Sequence, residues 1–338
     1  MDHKNVLVTG GTGSFGKAFV DRLLQTDVER VVVYSRDELK QSQMRARVND
    51  DRVRFFIGNV CNRDRLARAM HGVDLVVHAA AMKQIDTCEN NPEECGETNI
   101  DGTQAVIDAA LFREVPRAIF LSTDKAAAPN TTYGASKLFA ERLWTRSNVY
   151  AAGRPTRFSA TRYGNVLGSR GSVVEVWRKQ LAEGLVPKVT DPAMSRFWMT
   201  IKDAVDLVLL AAREMRGGEV FVPKVKGSPI LTLLNAVGPK ILTHYETTGI
   251  RRGEKLHEIL ISEHEARHTY DHGDHYRIEP DRTWDDTAED VGAVRVPEDM
   301  PDDRWREYGD ECDDPDPWSL RSDTCEQLTE HELREMIG

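Results

Sequence analysis

The first apolar run of the chain, NVLVTG at residues 5–10, ends in glycines spaced three apart, Gly10, Gly13 and Gly16, and a helical stretch from Phe15 to Leu24 follows. A strand that turns through glycines straight into a helix opens a parallel unit, because a parallel partner strand needs a crossover connection. The following residues repeat that plan. RVVVYS, VRFFIGNV, DLVVHAAA and RAIFLSTD are apolar runs separated by helix-length segments, and RFSATRY at 157–163 is a further strand. Strands of nearly continuous apolar character are buried on both faces, so this half reads as α/β, a doubly wound parallel sheet covered by helices. After Gly164 the pattern loosens into Gly-, Pro- and Arg-rich loops with short helices, as a smaller ligand-covering lobe would. The amphipathic stretch Ile201 to Met215 is expected to return to the main sheet. The expected organisation is a nucleotide-binding domain over 1–165, with 201–222 returning to it. Residues 166–200 and 223–338 then make the smaller substrate-binding lobe and an acidic C-terminal extension.

The 338 residues are 40% hydrophobic with a net charge of −10, which fits a soluble globular chain and disfavours nucleic acid or an anionic membrane surface as partner. Its longest apolar runs are too short to span a bilayer, and the N-terminus runs directly into a strand without an apolar signal segment. Five cysteines, Cys61, Cys88, Cys95, Cys312 and Cys325, form no CxxC pair and no dense framework, which suits a reducing cytoplasm. Lysine is absent after Lys255, and Glu279 to Asp316 is crowded with carboxylates. An acidic surface adapted to high salt and an ordinary solvated tail account for that equally well.

In TGGTGSFG the loop residues Gly10, Thr12, Gly13, Ser14, Phe15 and Gly16 are placed to cradle a pyrophosphate. Glycines let the backbone approach closely, and the helix N-terminus faces the negative charge. NAD-preferring sites usually carry an acidic residue at the tip of the second strand. Here Ser35 and Arg36 stand there, with Lys40 a turn later, and a hydroxyl with cations suits a 2′-phosphate, so the predicted cofactor is NADP. Asp37 is adjacent and is the competing, NAD-type determinant. Further along, Asn59 and Val60 are expected beside the adenine, and Ala79, Ala80 and Ala81 beside the cofactor ribose and phosphates.

LSTDKAAAPNTTYGASK, Leu121 to Lys137, carries the chemistry. Tyr133 and Lys137 are four apart and share a helix face. An ammonium near a phenol favours the phenolate, so Tyr133 is a candidate base toward a sugar hydroxyl. Asp124 and Lys125 add a second acid and base. Alcohol oxidation needs only the Tyr-Lys pair, so the extra groups point to elimination or epimerisation after oxidation.

These residues resemble the extended short-chain dehydrogenase/reductases, which have a Rossmann-type fold. Within them the chain is similar to the C-5-inverting UDP-N-acetylglucosamine 4,6-dehydratases of pseudaminic acid and capsule-sugar synthesis. The resemblance runs through TGGTGSFG, YSRDELKQSQM, AAAMKQID, ETNIDGT, STDKAAAPNTTYGASK, RYGNVLGSRGSV, MSRFWMTIKDAVDLV, GGEVFVPK, GIRRGEKLHEILI and RSDTCEQLTEHEL. The triplet Thr123-Asp124-Lys125 is its sharpest piece, since better-known sugar-nucleotide 4,6-dehydratases have Asp-Glu there. Tyr133 resembles the soluble inverting group; some retaining and membrane-anchored relatives carry Met. Departures are Asn59 for Asp, Glu175 for Pro, Arg252 for Pro and Cys325 for Asn.

The resemblance implies a tightly bound NADP recycled within each turnover. Tyr133, assisted by Lys137, deprotonates the C-4 hydroxyl; Lys125, as a neutral amine with a depressed pKa, removes the C-5 proton; Asp124 protonates the departing C-6 hydroxyl. It also implies substrate contacts from Lys83 and Thr123, diphosphate binding by Arg196 and Arg251, and a pocket completed by Asn165 and Glu254. Relatives associate through helices flanking the sheet, so a homo-oligomer is implied. A UDP-N-acetylglucosamine 4-epimerase and a C-5-retaining dehydratase are the rival activities, and a cofactor-sensing protein on a degenerate fold is a rival of another class. HEARH at 264–268 fits a zinc-protease pattern but reads as a solvated stretch, and no metal is expected. Cys88 and Cys95 read as packing thiols, and Met194, Trp198 and Met199 as lobe core.

Overall fold

The computed structural model describes residues 3–168, 172–238, 244–251, 253–280 and 318–338. Its first half comprises β1 (Asn5–Thr9), α1 (Ser14–Leu24), β2 (Arg30–Ser35), α2 (Glu38–Val48), β3 (Val53–Ile57), α3 (Arg63–Ala69), β4 (Leu75–His78), α4 (Ile85–Asn90), α5 (Pro92–Gly96), α6 (Gly102–Phe112), β5 (Arg117–Leu121), α7 (Thr132–Arg146) and β6 (Arg157–Thr161). The second half begins with β7 (Asn165–Val166), α8 (Val173–Ala182), β8 (Lys188–Val189), β9 (Ser195–Met199), α9 (Ile201–Glu214), β10 (Val220–Pro223), β11 (Gly227–Pro229) and α10 (Ile230–Val237). It closes with β12 (Glu246–Thr247), β13 (Ile259–Ile261), α11 (Glu263–Ala266), β14 (Thr269–Asp271), β15 (His275–Ile278), β16 (Leu320–Arg321) and α12 (Glu330–Ile337). Ser169 to Gly171, Arg252, Cys312 and residues 281–316 of the acidic stretch lie outside the described residues.

Nine strands form the main sheet in the order β14-β15-β10-β6-β5-β4-β1-β2-β3. From β10 to β3 every pairing is parallel, and β15 and β14 add an antiparallel edge. This is the doubly wound α/β fold that the alternating apolar runs predict. Within β1, Val6 and Val8 face a layer containing Phe19 and Leu23 of α1, Met44 of α2 and Val208 of α9, while Leu7 faces the layer of α3, α6 and α7. A strand apolar at every position follows from having a helix layer on each face. α9 packs on α1, and β10 lies beside β6.

Strand order reverses between β1 and β4, and such a reversal opens a crevice at the carboxyl ends of the strands. His78, at the tip of β4, is fixed there by Thr9 (2.7 Å) and Thr103 (3.1 Å), and burial pushes its pKa down to about 3. A neutral imidazole between two hydroxyls satisfies the polar groups of the core without burying a charge. Beyond the crevice, a separate apolar cluster of Trp177 (α8), Trp198 (β9), Leu233 (α10) and Leu333 (α12) forms the smaller lobe. Met194 and Trp198 belong to that lobe core, as expected; Met199 is also buried.

Candidate active site

One cavity of about 1530 Å³ runs along the carboxyl edge of the sheet and into the lobe. At its first end Gly10, Thr12, Gly13, Ser14, Phe15 and Gly16 line the wall. Gly10 has φ +64°, and a Cβ there would lie 2.9 Å from Ala79 O, so only glycine permits β4 to pass this close. A Cβ on Gly16 would meet the backbone of Gly11, which is how α1 docks against the turn. The loop is therefore a cradle of bare backbone at a helix N-terminus, which fits a dinucleotide pyrophosphate.

Ser35, Arg36 and Lys40 line the cavity at the tip of β2. Asp37 lines it too, but its carboxylate caps α2 by accepting from Lys40 N–H (2.9 Å) and pairs with Lys40 Nζ (2.6 Å). Gln41 Nε2 donates to Ser35 Oγ (3.0 Å), which leaves the serine O–H to donate to an acceptor. Val60, Ala79, Ala80 and Ala81 line the wall as well. Asn59 does not: its side chain accepts from Cys61 N–H (3.1 Å), and its carbonyl accepts from Tyr34 (2.8 Å).

Four candidate catalytic residues meet at the middle of the cavity. Asp124 and Lys125 lie in a single helical turn after β5, and Tyr133 and Lys137 lie on the first turns of α7. Gly134 brings the two together, because a Cβ at that position would press on Lys125 O. Asp124, 1% exposed, accepts from Thr123 Oγ (2.8 Å) and from Lys125 Nζ (3.1 and 3.2 Å). Lys125 Nζ also reaches Asn165 Oδ1 (3.5 Å) and Glu258 Oε1 (3.2 Å). Lys137 Nζ donates to Leu121 O (2.6 Å) and sits over the Phe120 ring.

Electrostatics here depart from expectation in two respects. Burial pulls the Lys125 pKa down, but the Asp124 and Glu258 carboxylates more than offset it, and the net direction is up. The expected depressed lysine is instead Lys137, which burial brings down to about 7 against the weak opposing pull of Glu141. Tyr133 is pushed up to about 12 by burial, and the cation that opposes this is Lys125, followed by a hydrogen bond with Thr123. The Tyr-x-x-x-Lys spacing brings both groups to the cavity wall, whereas the cation that acts on Tyr133 is Lys125.

Toward the lobe, Lys83, Thr123, Asn165, Arg196, Arg251 and Glu254 line the same cavity. Arg196 is held by the carbonyls of Ser195 (2.7 Å) and Leu256 (2.9 Å) and by Glu254 (3.4 Å). Arg251 is mostly exposed, 3.9 Å from Asp86. Met194 and Trp198 line the cavity as well as the lobe core, together with Trp177. Sequence reasoning missed Ser122 and Tyr163, which line the centre, and Glu258, which stands behind it. All three lie inside motifs that carry the resemblance, Glu258 in GIRRGEKLHEILI, but nothing within that motif marks Glu258 as reaching Lys125.

The histidines of HEARH do not share a helix, since α11 ends at Ala266, and Glu265 between them is paired with the buried Arg162. Among the described residues no group of three or more His, Cys, Asp or Glu is placed to hold a metal ion. No helix among them is long and apolar enough to cross a membrane. Cys88 and Cys95 are fully buried against Tyr133.

A doubly wound sheet with a glycine cradle at its switch point and a Tyr-Lys pair across the crevice defines an extended short-chain dehydrogenase/reductase. The chain belongs to the polysaccharide biosynthesis protein family, whose profile matches residues 6–280. It is 47% identical over 279 residues to a protein of Campylobacter jejuni subsp. jejuni (serotype O:23/36, strain 81-176) named UDP-N-acetylglucosamine 4,6-dehydratase (inverting), covering 82% of this chain and 83% of the relative. It is 41% identical over 284 residues to a protein of Rickettsia conorii (strain ATCC VR-613 / Malish 7) named UDP-glucose 4-epimerase, covering 82% and 83%. Among solved structures, Pen from Bacillus thuringiensis superposes with a TM-score of 0.85 at 34% identity, covering 99% of this chain and 97% of that one.

Proposed function

We propose that this protein is an NADP-dependent UDP-N-acetylglucosamine 4,6-dehydratase, a hydro-lyase that inverts C-5 and supplies a 4-keto-6-deoxy sugar nucleotide for surface glycans. The observation that carries this reading is the Asp124–Lys125 pair, in hydrogen-bond contact beside Tyr133 in the cavity that holds the glycine cradle. Oxidation at C-4 needs one base; elimination across C-5 and C-6 needs a second base and an acid. The 47% identity to a protein of that name supports the same substrate.

NADP held in this site would supply the hydride acceptor at C-4 in its oxidised form and the hydride donor at C-6 in its reduced form. Ser35, with its hydroxyl proton unengaged by Gln41, and Arg36 support the 2′-phosphate, while Asp37 is committed to capping α2 and to Lys40. Tyr133 takes the C-4 hydroxyl proton as its phenolate, the form that Lys125 favours against burial. Asp124 carboxylate with Lys125 ammonium differs from Asp124 carboxylic acid with Lys125 amine only by one proton across a 3.1 Å contact. Closing the cavity over a sugar disfavours separated charge and so favours the neutral pair. In that state Lys125 takes the C-5 proton while Asp124 gives its own to the C-6 hydroxyl, which leaves as water. The pair then returns to the charged form. Lys83, Thr123 and Asn165 are proposed to contact the sugar, and Arg196, Arg251 and Glu254 to hold the diphosphate end. Val60, Ala79, Ala80 and Ala81 would flank the dinucleotide. Site of action in the cytoplasm and a homo-oligomer built on α6 and α7, whose Phe112 (63%) and Phe139 (57%) stand exposed, complete the proposal.

The test is to follow UDP-N-acetylglucosamine with NADP in deuterated buffer by NMR. The expected product is the 4-keto-6-deoxy sugar with deuterium at C-5 and the L-arabino configuration. Asp124→Asn is expected to keep deuterium exchange at C-5, which needs only C-4 oxidation and the Lys125 base, and to lose water release by ~10²–10⁴-fold. The 4-epimerase reading has the Rickettsia relative in its favour. UDP-N-acetylgalactosamine with its C-6 hydroxyl intact would establish that reading, and the D-xylo product would make the enzyme a retaining one.

A further inference from the structure

Glu258 is 3% exposed, just ahead of β13, and does not line the cavity. Its Oε1 lies 3.2 Å from Lys125 Nζ and 3.7 Å from Arg196 Nε, while its Oε2 is buried with no hydrogen-bond partner among the described residues. A carboxylate with one oxygen unsatisfied in the protein interior is costly, so a purely structural role is a poor account of it. Its backbone is pinned from behind: Glu258 N–H donates to Ser322 Oγ (2.9 Å), and Ser322 N–H donates to Glu258 O (3.0 Å). Ser322 Oγ also contacts Ser195 Oγ (2.7 Å), next to Arg196. The carboxylate is thus built into a fixed post behind the reacting groups.

We propose that Glu258 is a positioning residue for the elimination step: its carboxylate clamps the Lys125 amine opposite Asp124 and ties it to Arg196 at the diphosphate end of the cavity. This rests on the dehydratase reading above. Around Lys125 stand Asp124 on its own turn, Tyr133 on α7, Arg196 on β9, and Lys255 and Glu258 on the segment before β13; Glu254 bears on it through Arg196. Two of these, Asp124 and Glu258, favour the ammonium directly, and Arg196 opposes it. Removing the Glu258 charge leaves Asp124 as the carboxylate in contact with Lys125, and Arg196 with Glu254 as its remaining carboxylate partner. The lysine should then lose its proton at lower pH.

The full chain as purified is labelled with an amine-selective acylating reagent across a pH series, and modification of the Lys125 peptide is read by mass spectrometry. In Glu258→Gln the midpoint of Lys125 labelling is expected to fall by about one pH unit or more, the scale set by losing one adjacent opposite charge. Glu258→Asp draws the carboxylate back by one methylene and should shift the midpoint the same way by less, which keeps the test open if the Gln variant does not fold. In NMR assays of turnover, the fall of kcat at high pH, where the Asp124–Lys125 pair loses the one proton that Asp124 must give, should move with the labelling midpoint. An unmoved midpoint in a folded variant overturns the proposal. Failure of the parent protein to release water from UDP-N-acetylglucosamine would overturn the dehydratase reading instead, and the labelling comparison would still decide what Glu258 does to Lys125.

Discussion

Lys137 shows what burial costs a functional side chain. In the unfolded chain it keeps its proton up to the ordinary lysine value of 10.5, whereas in the folded chain it loses it at about 7. Between those values the unfolded chain holds the extra proton, so folded stability rises with pH across the window; below about pH 7 the full penalty of burying the charge is present. Lys137→Met removes that penalty and keeps the volume. Thermal melts without added nucleotide should show the variant more stable than the parent at about pH 6.5, with the gain shrinking toward about pH 10. Equal gains at both ends would mean that the buried ammonium is not the cause. The role proposed for Lys137 beside Tyr133, four positions earlier on α7, would account for a residue retained against such a cost. This much was legible in the sequence, because a helical i, i+4 pair is a local fact. The ionisation of the two lysines was not legible, because that of Lys137 depends on its burial in the fold and that of Lys125 on Glu258, 133 residues further along the chain.

At the scale of elements, one buried ion cluster joins α7, the end of β6 and α11. Arg162, fully buried, donates to Glu141 (2.5 and 3.1 Å), Glu265 (2.8 and 2.9 Å) and Leu260 O (3.0 Å). It sits beside Tyr163 at the cavity and so holds the catalytic helix against the segment that carries Glu258. Removing one partner of such a cluster leaves uncompensated buried charge, so Arg162→Met should destabilise by about 3–5 kcal/mol. The check is the midpoint of urea unfolding; a loss within about 1 kcal/mol would mean that water reaches the carboxylates. The glycine cradle and the alternation of strands were readable because each needs only neighbouring residues. Arg162, Glu141 and Glu265 lie 21 and 103 residues apart in the chain, and in the sequence Glu265 is visible only as part of an apparent zinc motif. For the same reason Asn59, placed by strand position at the adenine, turns out to close its own turn onto Cys61.

At the scale of the whole molecule, the family match stops at residue 280, yet the Bacillus thuringiensis structure superposes over 99% of the chain. The difference is the closing segment, whose described residues 318–338 pack at the lobe end of the cavity. β16 pairs with β13 beside Glu258, Ser322 bridges Glu258 and Ser195, and α12 lays Leu333 into the lobe cluster with α10. Leu320, Leu328 and Leu333 are each buried, and a fully buried leucine contributes about 1.5–3 kcal/mol. None of the described residues 318–338 lines the cavity, and the glycine cradle and the tip of β2 are built from β1, α1, β2 and β4. A chain ending at Pro317 should therefore keep its affinity for NADP within a few fold while losing at least about tenfold in affinity for UDP, the equivalent of about 1.4 kcal/mol. Titration calorimetry with each nucleotide separately makes the comparison. If both affinities collapse, the lobe and the sheet fold as one cooperative unit; if both survive, the closing segment does not hold Arg196 and Glu258 in place, and the positions of those two side chains are set by β9 and β13 alone.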